Sequence, residues 1–244
     1  EIIPTTSVAI APKYEHGDQQ TLFAGVAGGV LRSIDGGDTW TASVLDSPPP
    51  SVSAVATSPN FVEDGIVLAA TTEDGIYRSS TRGHQWVRWN FGLLDLSVYC
   101  LAISPNFAKD ETIFAGVESG IFRSTNGGRA WREVELSIGY DPVISLKLSP
   151  RYPQDGIVFA GTENQGLLRS DDDGQTWQRL GEDLLTDPIN TILMAPGFPD
   201  QGDLLVLTEN MICVSRNGGV DWQEAPGSPL GMTAIAAPNG IAPQ

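Results

Sequence analysis

Histidine and cysteine are scarce in this sequence, with two of each in 244 residues. His16 and His84 have no paired ligands, so no zinc or iron site is expected. Cys100 and Cys213 lie in the apolar runs Val98-Tyr99-Cys100-Leu101 and Met211-Ile212-Cys213-Val214, where a buried thiol packs as a small hydrophobe. No disulfide is expected between them, and they do not tell the compartment. Basic side chains are few as well: 14 Lys and Arg against 30 Asp and Glu give a net charge of −16, which repels a nucleic-acid backbone or an anionic lipid surface. No apolar run approaches the roughly 18 residues that suggest a membrane-spanning helix. No basic n-region with a long apolar stretch follows Glu1, so no signal peptide is visible, although a processed mature chain would look the same. Helix signals are missing too, which excludes a phosphate-cradling loop at a helix start. What remains is a 41% hydrophobic chain, enough for a sizeable core, read as one large all-β domain rather than two small ones.

One stretch organises that domain. Ser33-Ile34-Asp35-Gly36-Gly37-Asp38-Thr39-Trp40 returns at Ser79–Trp86, Ser124–Trp131, Ser170–Trp177 and Ser215–Trp222, and the first serines stand 46, 45, 46 and 45 residues apart. A fixed period of this length marks a propeller or a solenoid. Within each copy the pattern reads as a tight hairpin. Gly37, Gly83, Gly128, Gly174 and Gly219 supply the positive φ of the turn. The third residue (Asp35, Thr81, Asn126, Asp172, Asn217) can hydrogen-bond the turn backbone. Trp40, Trp86, Trp131, Trp177 and Trp222 then open the next strand and are expected to bury their rings against the neighbouring sheet.

The pattern resembles the Asp-box, Ser-x-Asp-x-Gly-x-Thr-Trp, of bacterial neuraminidase repeats. The first and fourth copies match it fully; the others depart at Thr81, Asn126 and Asn217 and at Gln85, Ala130 and Asp221. The resemblance covers nearly the whole chain and implies a β-propeller. The pattern Gly-Ile-Phe/Tyr-Arg-Ser at residues 75–79 and 120–124 is also similar to photosystem II assembly factor propellers, which implies a non-catalytic, extracytoplasmic scaffold that binds a protein client.

Each repeat divides into four short β segments, A to D. In the second unit these are Val52–Thr57, Ile66–Ala70, Ile76–Ser79 and Gln85–Trp89. Segment A ends at a Pro-aromatic corner, Ser58-Pro59-Asn60-Phe61, repeated at Ser104–Phe107 and Ser149–Tyr152 and more weakly at Ala11–Tyr14 and Ala195–Phe198. The aromatic is expected to plug the rim. Segment B, as in Ile113-Phe114-Ala115-Gly116, is apolar enough to be covered on both faces. Four strands per unit predict five blades, at about residues 6–50, 51–96, 97–142, 143–188 and 189–230, within one domain of residues 1–244. Segment A appears a sixth time at 231–240. Either that copy closes a five-bladed ring, which is the expectation here, or the chain is part of a propeller with a sixth blade.

In such a blade the A–B and C–D turns share one face, and the B–C and D–A connections share the other. Glu73, Glu118, Glu163 and Glu209 recur in the B–C turns and could form an acidic collar for a cation or a basic partner; a pairing with arginine or plain solvation is the bland alternative. The D–A connections vary most, as binding loops on a rigid scaffold do. Trp89, Phe91 and Tyr140, in or beside them, are the aromatic binding candidates. Arg32, Arg78, Arg123 and Arg169 precede the hairpin serine and are expected to bridge to acids of an adjoining blade or loop. Asp171-Asp172-Asp173 is read as a solvated turn rather than a calcium site.

These readings favour a propeller that binds a protein partner or belongs to a larger complex, with no cofactor and no metal, outside the cytoplasm. A glycan-binding module is the alternative. A glycoside hydrolase drawing two acids from the collar is a third possibility. A sialidase is not expected, because no arginine lies clearly inside the loop face and only Tyr140 could serve there.

Overall fold

Short runs rich in β-branched and apolar residues, many of them closed by Pro or Gly, form strands of two to six residues throughout this chain. The computed structural model describes residues 4–12, 20–136, 138–228, 231 and 235. The sixth A-type segment, Tyr14 and His16 lie outside the described residues. The strands build five four-stranded antiparallel sheets, each in chain order. The first sheet is β1 (Thr5–Ile10), β2 (Leu22–Val26), β3 (Gly29–Ser33) and β4 (Thr41–Ser43). The second is β5 (Val52–Thr57), β6 (Val67–Thr71), β7 (Ile76–Ser79) and β8 (Val87–Arg88). The third is β9 (Val98–Ile103), β10 (Ile113–Val117), β11 (Gly120–Ser124) and β12 (Arg132–Val134). The fourth is β13 (Val143–Leu148), β14 (Val158–Thr162), β15 (Leu167–Ser170) and β16 (Gln178–Leu180). The fifth is β17 (Thr191–Met194), β18 (Leu204–Leu207), β19 (Ile212–Ser215) and β20 (Gln223–Glu224). The expected A-to-D order holds in all five.

Contacts divide the chain into two compact units, residues 1–117 with 122–133 and residues 118–121 with 134–244. In the first unit, one core holds Phe23, Val52, Phe61, Val67 and Tyr77, and a second holds Leu68, Ile76, Phe107, Ile113 and Trp131. In the second unit the core holds Phe159, Leu167, Ile192, Phe198 and Val206. The middle strands β6, β10 and β14 are buried at every residue, as their apolar sequences require. Neither cysteine is in a disulfide. Burial pushes the Cys100 thiol up to about 12 and the Cys213 thiol up to about 11.

The hairpin repeats its bonds as closely as its sequence. In all five copies the first serine is buried, and its hydroxyl accepts the N–H of the turn glycine at 2.8–2.9 Å. Those glycines have φ between 81° and 105°. A side chain on Gly83 would be doubly resisted, by this φ and by a Cβ only 2.6 Å from the Phe23 ring. The third residue closes the turn from outside: Asp172 accepts from the Thr176 backbone N–H (2.8 Å) and hydroxyl (2.6 Å). Asp35 does the same with Thr39. Four of the five indoles donate back to the turn glycine carbonyl. Trp131 instead donates to the Trp89 carbonyl, 2.7 Å away.

Three expectations need correction. Trp131 and Trp177 are buried and Trp86 and Trp222 half-buried, but Trp40 is 40% exposed. The Trp40 indole N–H bonds only within its own hairpin, whereas Trp86 and Trp131 also reach back to Ser43 and Trp89 of the preceding sheet. Two single-turn helices, α1 (Phe61–Asp64) and α2 (Phe107–Asp110), replace the expected helix-free chain. Each turns the Pro-aromatic corner and buries its first phenylalanine. Finally, the expected bridges from the repeated arginines to acids of an adjoining blade or loop are not general. Arg169 bonds Asp171 (2.6 and 2.9 Å) and the Gly218 carbonyl (2.5 Å). Arg78 instead stacks over Trp89 at 4.2 Å, and Arg123 lies over Phe114.

The corners carry a second repeated device. Ser58, Ser104 and Ser149 donate to the carboxylate six residues on (Asp64, Asp110, Asp155), which accepts the N–H that leads into segment B.

Two outcomes follow from the hairpin. Ser124→Ala strands the Gly128 N–H in a buried turn and should lower unfolding free energy by about 1–3 kcal/mol in urea titration. The turn's hydrogen bonds, first those from Thr176, hold the Asp172 carboxyl down at about 2. A depressed folded value means that the contribution is present above the unfolded value near 4 and is lost as pH falls through about 2. Asp172→Asn should therefore be less stable than the parent at pH 7 and indistinguishable from it near pH 2.

Candidate functional site

The ladder between segments B and C sets the two turn families apart. In the second sheet Ala70 pairs with Ile76 beside the B–C turn, and Val67 pairs with Ser79 beside the hairpin, at opposite ends of the same ladder. Hairpins and corners meet on one side: the Arg82 N–H donates to the Gly65 carbonyl, and the Gly218 N–H to Gly202. B–C turns and D–A connections meet on the other: the Thr72 N–H donates to Ser51, and the Glu163 N–H to Pro142.

Glu73, Glu118, Glu163 and Glu209 all stand in B–C turns and are exposed. None of their carboxylates has a hydrogen-bond or ion-pair partner among the described residues. The turns are closed instead by threonines: the Thr71, Thr162 and Thr208 hydroxyls donate to the carbonyls of Gly75, Gly166 and Met211. Glu73, Glu163 and Glu209 thus stand on threonine-closed turns, and all four glutamates face water.

In the first unit, the connection after β8 is the most shaped of the loops. The Asn90 amide bonds both ends of the neighbouring turn, accepting from the Ile76 N–H (2.8 Å) and donating to the Asp74 carbonyl (2.8 Å). The Gly75 N–H donates to Leu96, and the Trp131 N–H to Phe91. Leu93 is buried below. On this fixed backbone Phe91 is 80% exposed and Leu94 81% exposed, with Leu96 partly so. Leu94 and Leu96 join Phe91, the residue the sequence marks by its ring; the signal for them is the run Phe91-Gly92-Leu93-Leu94-Asp95-Leu96, which is strongly apolar for a loop.

Trp89 stands elsewhere than its candidacy supposed. Its ring lies near the guanidinium groups of Arg78 (4.2 Å) and Arg129 (5.6 Å) and packs beside Gly128 of the next hairpin. It belongs to the seam between the second and third sheets.

In the second unit Tyr140 is 82% exposed, next to an anchored residue. The Asp141 carboxylate is buried, accepting the N–H groups of Asn164 (3.2 Å) and Gln165 (2.9 Å) and the Asn164 amide (2.7 Å). Tyr140 is therefore presented from a loop pinned to its own B–C turn. Of the acidic turn, Asp171 pairs with Arg169 and Asp172 closes its hairpin.

No known protein family matches the chain in sequence, and no curated protein does either. Solved structures do resemble it. An ancestral GH74 enzyme superposes with a TM-score of 0.72 at 19% identity, over 93% of this chain and 32% of its own. YCF48 bound to D1 peptide gives 0.63 at 17%, over 93% and 68%. The extracellular domain named as a one component system of B. thetaiotaomicron gives 0.66 at 19%, over 90% and 27%. The five sheets are propeller blades. At these identities the likeness speaks for the fold alone, and the chain spans about a third of the length of the ancestral enzyme.

Trp89→Ala should cost on the order of 2 kcal/mol or more of stability, as large-to-small changes at packed sites do. Tyr140→Ala should stay within about 0.5 kcal/mol, as exposed sites do. Paired urea titrations separate the seam residue from the surface one.

Proposed function

We propose that this chain is a non-catalytic, extracytoplasmic propeller that holds a protein partner on its B–C and D–A loops, as a scaffold or a member of a larger complex. The connection at residues 90–97 carries this reading. Its backbone is fixed by hydrogen bonds while Phe91 and Leu94 stand in water, so docking against them releases apolar surface to the partner without a cost of ordering the loop. Tyr140 is a second such anchor. Aromatic residues on pre-ordered loops are common energetic centres of protein interfaces. The exposed glutamates at the same rims favour a partner with basic residues around an apolar centre. The resemblance to YCF48 bound to D1 peptide supports a peptide segment as the bound element, and the extracellular domain supports the location.

Several GH74 enzymes, among them a xyloglucanase from Xanthomonas campestris, share the fold, and they keep a glycan reading in view. Hydrolysis needs two carboxyl groups flanking one glycosidic bond. The four glutamates each serve a separate turn, which favours binding over turnover.

A displayed library of peptides panned against the protein should yield apolar-basic sequences. Phe91→Ser with Leu94→Ser should weaken their binding at least tenfold while leaving the urea midpoint unchanged. Binders indifferent to that double change, or reducing sugar released from xyloglucan, would sink the scaffold reading.

A further inference from the structure

The seam between successive sheets has one variable position, the residue three places after the hairpin tryptophan. In the second sheet it is Trp89, whose ring covers Arg78 and touches the next hairpin at Gly128. In the fourth it is Leu180, which packs on Gly219. In the first it is Ser43. Its hydroxyl donates to the Gly83 carbonyl and accepts the Trp86 indole N–H, but it is too small to cover Arg32, the counterpart of Arg78. A cavity of about 290 Å³ opens there, lined by Arg32, Thr41, Ser43, Val44, Gly83 and His84. All of these residues belong to the first compact unit.

The cavity is electrostatically unfinished. Arg32 Nε is buried and has no hydrogen-bond partner; the same holds for Arg78 Nε at the same repeat position, but of the two only Arg32 lacks a covering ring. No acid among the described residues pairs with the Arg32 guanidinium. Arg169, at the same repeat position, has Asp171 two residues on; here Ile34 occupies that place. Burial, and after it the charge of Arg82, holds Arg32 below its ordinary value. Arginine stays protonated nonetheless, so a half-buried cation faces a water-sized to ligand-sized space beside another cation. In a chain of net charge −16, such a spot is an island of positive potential. Beyond roughly 10 Å the surrounding acids are screened at ordinary salt.

We propose that this cavity is a binding site for a small oxyanion, a carboxylate or a phosphate carried on a compact ligand. The two Nη groups of Arg32 match two oxygens of such a group in the bidentate geometry that arginine favours. Exposed His84 and the lining hydroxyls of Thr41 and Ser43 supply further polar contacts. The site lies at the first seam, among hairpin residues, and does not depend on the loop-face partner.

The test uses the whole chain, isotope-labelled, at a constant ionic strength of about 0.1 M, titrated separately with acetate, glucuronate and inorganic phosphate. The Gly83 and His84 amide signals report. A saturable shift is expected with at least one anion. Response to acetate and glucuronate alone assigns the ligand as a carboxylate, and response to phosphate alone assigns it as a phosphate. Arg32→Gln should weaken the interaction at least tenfold. Ser43→Trp, which places in the first seam the ring found in the second, should do the same by filling the cavity. Arg32→Lys, which keeps the charge and loses the fork, should weaken it several-fold and serves if Arg32→Gln does not fold. Absence of saturable shifts with all three anions, or shifts that survive both Arg32 variants, would overturn the proposal.

Discussion

A single buried serine hydroxyl, accepting the N–H of a glycine four residues later, is the constraint on which the rest of this structure depends. It lets a chain reverse direction within a few residues and leaves no unpaired donor at the turn. Once it is in place, the third side chain closes the outer edge, the indole returns to the glycine carbonyl, and segments C and D are in register. The same bond in five copies imposes the same strand geometry on five sheets. Asp and Asn at the third position make the same backbone contact with and without charge, as Asp172 and Asn126 do. Departures from the full motif therefore change the charge of the turn more than its shape.

That constraint also divides labour across each blade. One side is consumed by hairpins and corners whose polar groups bond one another. The other carries short threonine-closed turns and connections of varied length, anchored by Asn90 in one unit and by Asp141 in the other. Anchoring matters more than composition there. An exposed phenylalanine on a loose loop would collapse onto the nearest apolar surface or pay entropy on binding; Phe91 does neither.

The fold was legible from sequence because its determinants are local. Serine, glycine and tryptophan interact within eight residues, so their spacing survives in the linear pattern, and all five sheets could be placed from it. Features that depend on contacts between sheets were not legible. Trp89 reads as a spare aromatic because its column in the repeat holds Ser43, Trp89, Val134, Leu180 and Ala225, five residue types with no common chemistry. The single-turn helices at Phe61 and Phe107 are too short to show a 3.6-residue period. The serine-to-aspartate bond across each corner left a readable trace, the same six-residue spacing at Ser58, Ser104 and Ser149, and was passed over because proline and the aromatic drew attention first. Phe91 and Tyr140 stand exposed, and the four glutamates of the B–C turns lie in water, whereas Asp171 pairs with Arg169.

Because most of each hairpin's bonds are made within its own eight residues, a gene encoding this chain can gain or lose a whole repeat by duplication or deletion while orphaning few polar groups elsewhere. Repeat number and loop content are then free to drift independently, which leaves lineages with this blade wide latitude in size while the eight-residue signature stays recognisable.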